Sequence, residues 1–288
     1  MDETLYKFTF TTITFLNMCS ETKNLTSEPV DKIDKDNNLI TRKFFAEGSN
    51  TKFVIHNDGK LSKYAINNIS KQINDSYIYI TNNYKNENYD WNKKIDIYIK
   101  TEIKESLATK NHIVLYNSHG NNFNLTHEMT HTLLGIGNQD MNGFNYEYGL
   151  FTQEGLATVI EEELYPEKFV YPNNGVETHK VMKYILDSKQ YIPLYKLIHN
   201  EISEQYFRSS DGKTMWISYI ESGSFMKYLI EFYNKDKVME IYNTPNFQND
   251  FIEVFGCSIE DVEKEWIKFI LNDVPSLTSN EKGRLLFP

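Results

Sequence analysis

The chain of 288 residues predicts an α+β fold, in which a small mixed sheet on the N-terminal side precedes a mainly helical C-terminal half. Two observations predict this class. Short β-branched or alternating runs, typical of strands, occur before residue 117. From residue 125 onward the apolar residues recur at helical spacing instead. A run of strands followed by a run of helices is the usual pattern of an α+β domain.

Before the helical half, the apolar residues follow two patterns, one typical of strands and one typical of an amphipathic helix. Thr51–His56 (T-K-F-V-I-H) is a short β-type run, and Leu61–Tyr84 spaces its apolar residues as one amphipathic helix does. Lys94–Lys100 alternates strictly, which predicts a strand with one solvent-exposed face. His112–Tyr116 predicts another strand, and the Gly- and Asn-rich stretch 117–124 a loop. The predicted order is therefore strand, helix, strand, strand, loop.

The helical half consists of eight segments with helical periodicity. They are roughly Leu125–Leu134, Thr152–Leu164, His179–Ser188, Ile192–Ile198, Met215–Tyr233, Lys235–Tyr242, Asn246–Phe255 and Ile259–Leu271. We expect one domain over residues 41–274, with an α/β part at 41–134 and a helical part at 135–274. Residues 275–288 are expected to form a tail, which is loose from Asn280 to Pro288.

Composition narrows the possible partners. A formal net charge of −10, with no basic stripe, argues against binding to nucleic acid. No stretch reaches the roughly 18 apolar residues that a membrane-spanning helix needs. The two cysteines, Cys19 and Cys257, have no spacing that requires a disulfide or a metal site. No feature of the sequence fixes the oligomeric state.

The first 40 residues predict a leader followed by a polar linker. Residues 8–18 form an apolar run of signal-peptide length, although the acidic start at 1–7 is atypical of a signal. Leu16–Cys19 resembles a lipoprotein processing site, without the small residue expected before the cysteine. A membrane tether through Cys19 and a trimmed leader both remain open. We expect an extracellular or cell-surface location in a bacterium, with a cytoplasmic location also open.

The motif His127-Glu128-Met129-Thr130-His131 carries the chemistry. On a helix, H-E-x-x-H places both imidazoles on one face, one turn apart, where they can bind one Zn²⁺. The carboxylate of Glu128 can then reach a water on the metal. A catalytic zinc needs a third protein ligand. The metzincin extension would need Gly and His at the places of Leu134 and Gly137, so that class is excluded.

Glu154 is the candidate for the third ligand. It opens a predicted helix whose N-cap we expect to be Thr152. Gly155, Ala157 and Thr158 are small, which predicts a close approach to the helix of the two histidines. The competing interpretation is that Glu154 only complements the helix dipole from the first turn, since acidic residues are common nearby.

The motif residues resemble a known family. H-E-M-T-H at 127–131 followed by Q-E-G-L-A at 153–157 is similar to the gluzincin metallopeptidases, the group of thermolysin and aminopeptidase N. Within this group, the motif residues are most similar to those of the bacterial peptidase MA-like proteins. S-Y-I-E-S-G-S-F-M-K-Y-L-I at 218–230 and F-G-C-S-I-E-D-V-E-K-E-W at 255–266 continue the resemblance, which covers roughly residues 53–272.

The resemblance implies a thermolysin-like catalytic domain with one Zn²⁺ on His127, His131 and Glu154. It also implies that Tyr219 donates a hydrogen bond to the developing oxyanion. The chain departs from thermolysin-like enzymes at Thr158, where they carry an acid that orients a ligand histidine. It also lacks the strand motif with which aminopeptidases hold a free N-terminus, so that specificity is not expected.

The expected function is a zinc-dependent peptidase with Glu128 as general base and a peptide or protein as substrate. Two alternatives stay open: a surface-tethered binding protein that keeps the fold without proteolysis, and a zinc hydrolase of a non-peptide bond. The strand His112–Tyr116 is expected to be the edge that pairs with an extended substrate. His179 and His199 are alternatives to Tyr219 as oxyanion donor, and His119 could line the cleft.

Overall fold

The computed structural model describes residues 28–84, 94–116, 123–135, 149–168, 170–244 and 246–288. Within them, a six-stranded sheet lies on the N-terminal side and eleven α-helices follow or pack on it. This arrangement confirms the predicted α+β class. None of the described helices is both long and apolar enough to cross a membrane.

The sheet is mixed. Its strands are β1 Val30–Ile33, β2 Leu39–Phe45, β3 Lys52–His56, β4 Lys94–Ile99, β5 Leu107–Thr109 and β6 His112–Leu115. Their spatial order is β1-β2-β3-β4-β6-β5, with β3–β4 and β4–β6 parallel and the other pairs antiparallel. Because side chains alternate along a strand, one face of the central strands is apolar and buried.

The buried face of the sheet packs on α1, Lys63–Asn83. Ser62 caps this helix by accepting a hydrogen bond from the N–H of Ala65 at 3.2 Å. The ring of Phe53 on β3 meets the edge of Tyr77 on α1 at 5.6 Å between centroids. The strand and helix boundaries here agree closely with those predicted from periodicity.

The helical half contains ten helices. They are α2 Leu125–Thr130, which continues as a π-helical turn His131–Gly135, then α3 Leu150–Leu164, α4 Thr178–Asp187, α5 Leu194–Ile198, α6 Asn200–Phe207, α7 Gly212–Phe232, α8 Lys235–Ile241, α9 Phe247–Phe255, α10 Ile259–Asn272 and α11 Ser279–Lys282. The core is shared with the sheet, since buried apolar side chains of both halves form one cluster.

The helices α3 and α7 approach each other closely along two glycines. A Cβ on Gly155 would lie 2.6 Å from Cγ of Met226 and 2.7 Å from the carbonyl oxygen of Ser222. A Cβ on Gly223 would lie 2.7 Å from Cγ2 of Thr158. The predicted small residues therefore do allow a close approach, but Gly155 and Thr158 serve the contact with α7 rather than with the histidine helix.

The folded part begins earlier than the expected start at residue 41. Strand β1, at Val30–Ile33, lies inside the predicted linker and pairs with β2. Its Asp31 forms an ion pair of 2.7 Å with Arg42, which points into the protein and also donates to Asn67 on α1 at 2.5 Å. The short polar sequence of β1 gives no alternating signal. Residues 1–27, including Cys19, lie outside the described part of the chain.

The C-terminal segment is not the loose tail that we expected. Helix α11 has a capping box in which Thr278 and Glu281 bond each other's backbone. Lys180 on α4 pairs with Glu281 at 2.7 Å. The ring of Phe287 then packs on buried Trp216, with 5.7 Å between centroids. These contacts were not visible as periodicity, because they belong to short elements that fold against α4 and α7.

Candidate metal centre

Helix α2 places the two motif histidines on one face, as its geometry requires. The ring centroids of His127 and His131 are 4.8 Å apart. The side chains are almost withdrawn from solvent, with 4% of each residue exposed. Behind them, the hydroxyl of Thr126 bonds Ser76 on α1 at 2.8 Å, which fixes α2 on the helix that covers the sheet. The imidazoles point toward α3.

Glu154 on α3 meets both histidines. Its Oε2 lies 3.0 Å from Nε2 of His127 and 3.2 Å from Nε2 of His131. The helix starts at Leu150, so Glu154 lies in the second turn and the first turn holds no acid. The predicted N-cap, Thr152, is therefore inside the helix, where its hydroxyl accepts from the N–H of Asn243 at 3.1 Å. A dipole-complementing role in the first turn does not apply to Glu154.

The three side chains can hold a metal ion. Their candidate ligand atoms lie within 4.8 Å of one another. Ligand atoms around a tetrahedral ion with bonds of about 2.0–2.2 Å are about 3.3–3.6 Å apart, close to the separations of Oε2 from the two Nε2 atoms. Among the described residues, Nδ1 of His127 has no hydrogen-bond partner. Two imidazoles and one carboxylate leave a fourth position of a tetrahedral ion open.

Burial and charge set the protonation of the centre without an ion. Burial opposes ionisation of Glu154, but the two imidazoles outweigh it and hold its pKa well below the usual range. Burial likewise lowers the pKa of His127, yet the hydrogen bond and charge of Glu154 prevail and raise it to about 9. A metal ion would take the place of that proton, because a ligand imidazole must be neutral.

Glu128, the carboxylate between the histidines, is buried beside them with 6% of the residue exposed. Burial raises its pKa to about 7, and the positive charges of His127 and His131 oppose that rise. A carboxyl group with a pKa near neutrality can accept and return a proton at physiological pH. The structure therefore places a buried carboxyl group beside the candidate metal ligands.

Glu161 is a supporting residue that the sequence analysis did not single out. It lies two turns after Glu154 on α3, and its Oε2 accepts a hydrogen bond from the backbone N–H of His127 at 3.2 Å. Lys168 lies 3.4 Å from its other oxygen and donates to the carbonyl of Phe123 at 2.8 Å. The spacing of seven from Glu154 was the available signal, since it puts both acids on one helix face.

Thr158, at the place where thermolysin-like enzymes carry an acid, does not support the histidines. Its hydroxyl donates to the carbonyl of Glu154 at 2.9 Å, and its methyl group packs on Gly223. The support for α2 comes instead from Glu161, through the backbone of His127 rather than through its ring.

Tyr219 on α7 lies beside the centre, as the resemblance implies. Its ring centroid is 6.2 Å from that of His127. Phe207 and Tyr171 pack edge-on to it at 5.6 Å and 5.0 Å. Burial and then the negative charge of Glu154 raise the pKa of Tyr219 well above its usual value, so the phenol keeps its proton at neutral pH.

The other histidines of the sequence analysis lie elsewhere. His179 is buried between α4 and α7, where Nδ1 bonds the hydroxyl of Ser224 at 2.8 Å and Nε2 lies 3.4 Å from Glu231. His199 is exposed just before α6. His119 lies outside the described residues. Neither described histidine contacts the metal-binding group, which leaves Tyr219 as the predicted donor nearest to it.

The prediction that the strand at His112–Tyr116 is an edge that pairs with the substrate is wrong. Strand β6 (His112–Leu115) is internal, because it pairs with β4 on one side and with β5 on the other. The edge next to the metal-binding group is β5, whose Thr109 carbonyl accepts a hydrogen bond from Thr132 at 3.5 Å. A strand of three residues such as β5 was too short to be read from periodicity.

Searches against protein-family models, curated proteins and solved structures found no match for this chain. The cluster of two histidines and a glutamate does not by itself establish a gluzincin.

Proposed function

We propose that the chain is a zinc-dependent peptidase that hydrolyses peptide bonds with Glu128 as general base. One observation carries the proposal: Glu154 comes within 3.0 Å and 3.2 Å of the two motif imidazoles, on a separate helix. A glutamate that only complemented the dipole of its own helix would not be expected to lie against both imidazoles. Two nitrogen ligands and one oxygen ligand suit Zn²⁺ and leave room for substrate.

The ion would supply a Lewis acid that lowers the pKa of a bound water to ~7 and polarises the substrate carbonyl. The carboxylate of Glu128 takes the proton of the attacking water and delivers it to the leaving amine. Tyr219, a protonated phenol, donates a hydrogen bond to the oxyanion.

The surface-tethered binding protein and the hydrolase of a non-peptide bond remain the competing proposals. Burying a carboxylate such as Glu128 is costly, and a protein that only binds has no use for it. That argues for hydrolysis over binding alone. The peptide substrate, the tether through Cys19 and the cell-surface location stay predictions.

The test compares wild type with Glu128→Gln on a broad peptide library, alongside metal analysis of both. We expect the variant to keep zinc and to cleave at least about 100-fold more slowly, the usual weight of a general base. Glu253→Gln, an exposed change on α9, is the matched control and should behave as wild type.

Full activity of Glu128→Gln on a peptide that wild type cleaves would refute the general-base role. Metal content tests the site separately. His131→Ala should lose most of the zinc, because it removes one of three protein ligands. Unchanged zinc in that variant would count against the site itself.

A further inference from the structure

The phenol of Tyr171 is the described tyrosine beside the metal centre whose buried hydroxyl has no assigned hydrogen-bond partner. No described residue bonds its oxygen, although that atom is buried. The side chain lies in the connection between α3 and α4 and packs edge-on to Tyr219, at 5.0 Å and 73°. A buried hydroxyl without a partner is unfavourable, so such a group in a folded protein needs an explanation.

The backbone on the C-terminal side of Tyr171 is held firmly. The indole N–H of Trp216 donates to the carbonyl of Pro172 at 2.8 Å, in a fully buried contact. The side-chain amide of Asn173 donates to Glu162 at 2.9 Å and to Thr178 at 3.1 Å. These bonds attach the two residues that follow Tyr171 to α7, α3 and α4.

Tyr171 and Tyr219 lie together beside the centre. The ring centroid of Tyr219 is 5.0 Å from that of Tyr171 and 6.2 Å from that of His127. With an ordinary pKa of ~10, a phenol carries its proton at neutral pH, so both side chains can act as hydrogen-bond donors.

We propose that Tyr171 is a second donor to the carbonyl oxygen of the peptide bond that is cleaved, beside Tyr219. The inference rests on the proposed function. The partner that the hydroxyl lacks among the described residues is then an oxygen of the substrate, on which negative charge builds up as water attacks. Two preorganised donors stabilise that charge more than one does. The alternative is that an ordered water completes the bonding of Tyr171.

The test measures binding of a phosphinic pseudopeptide, a tetrahedral mimic of the attacked carbonyl, to the zinc-loaded full chain by calorimetry. We expect Tyr171→Phe to bind it about tenfold more weakly, the weight of one hydrogen bond to a charged oxygen. Tyr165→Phe is the matched control, since Tyr165 lies in the same connection and bonds Asp75 at 3.5 Å. It should bind the mimic as wild type does.

Thermal unfolding separates a binding role from a structural one. Removing a hydroxyl that has no partner in the protein should leave the Tm of Tyr171→Phe at or above that of wild type. Unchanged affinity for the mimic, or a lowered Tm, would overturn the inference. On a cleaved peptide we expect kcat to fall with little change in KM.

The outcomes also distinguish this inference from the peptidase proposal. Wild type that cleaves peptides while Tyr171→Phe keeps its kcat and its affinity for the mimic refutes the inference alone. Tenfold weaker binding by Tyr171→Phe, in a protein that cleaves no peptide, keeps Tyr171 as a donor to a tetrahedral oxyanion but refutes the peptidase, and with it the peptide carbonyl as the oxygen that Tyr171 bonds. A wild type that binds neither zinc nor the mimic overturns both.

Discussion

The buried carboxyl group of Glu221 on α7 should make the stability of the protein depend on pH. Glu221 is fully buried, and its Oε1 accepts a hydrogen bond from the N–H of Ile192 at 2.8 Å. Its other oxygen has no partner among the described residues. Burial, with a contribution from the charge of Glu263, raises its pKa well above the usual value.

The raised pKa of Glu221 determines how its contribution to stability changes with pH. The folded protein holds the proton of Glu221 at pH values where the unfolded chain, with a pKa of ~4.3, has lost it. The contribution of Glu221 to stability is therefore complete below about pH 4 and is lost as the pH rises toward the raised pKa of the folded state. The loss is about 1.4 kcal/mol for each pH unit in that window, which corresponds to one proton.

The assay is urea unfolding of wild type and Glu221→Gln at pH 5, 6 and 7. Glutamine keeps the acceptor for the N–H of Ile192 and cannot ionise. The free energy of unfolding of the variant, relative to that of wild type, should therefore rise by about 1.4 kcal/mol between pH 5 and 6. Comparing the two at each pH cancels the titration of all other groups. Glu253→Gln, exposed on α9, should follow wild type. Parallel stability curves for wild type and Glu221→Gln would refute the buried neutral carboxyl.

Three further predictions concern the metal centre and the helix that supports it. Zinc at 100 times its dissociation constant should stabilise wild type by about 2.7 kcal/mol, seen as a raised Tm, and should not stabilise His131→Ala. Glu161→Gln should weaken zinc binding by about tenfold in a competition titration, because it weakens the acceptor of the His127 N–H; an unchanged affinity would contradict that role. Gly155→Ala should lower the free energy of unfolding by about 1–3 kcal/mol, since its Cβ meets α7. Gly283→Ala, whose Cβ has only ordinary contacts at 3.5 Å, should be nearly neutral, and equal effects of the two would refute the packing argument.

The fold class and most element positions were predictable because helical and strand periodicities are local. The missed strands show where that reasoning stops. Strand β2 contains Arg42, which points inward and interrupts the alternation. Its guanidinium is bonded by Asp31, Asn67 and Ser70, all from other elements. From the sequence alone, a buried arginine is expected at the surface, because its hydrogen-bond partners lie on other elements. The three residues of β5 are too few for any period to register.

The candidate metal ligands could be predicted because they depend on short spacings along the sequence. His127 and His131 need only one helical turn, and Glu154 needs only a second helix that returns beside the first. The supporting residues depend on how the helices lie against each other. The spacing of seven from Glu154 puts Glu161 on the same face of α3, but its bond to the backbone of His127 depends on how α3 lies on α2. Tyr171 reaches α7 from the connection between α3 and α4, a contact that no local pattern encodes.

Helix α3 is fixed in rotation by two neighbours at once. Glu154 and Glu161 face α2, while Gly155 faces α7 with no room for a side chain. Each residue of an α-helix turns the next by about 100°, so one inserted residue would swing the carboxylate off the imidazoles and push a bulkier group into α7. The length of this helix between its two contact surfaces should therefore tolerate no insertion, in contrast to the segments that connect the helices.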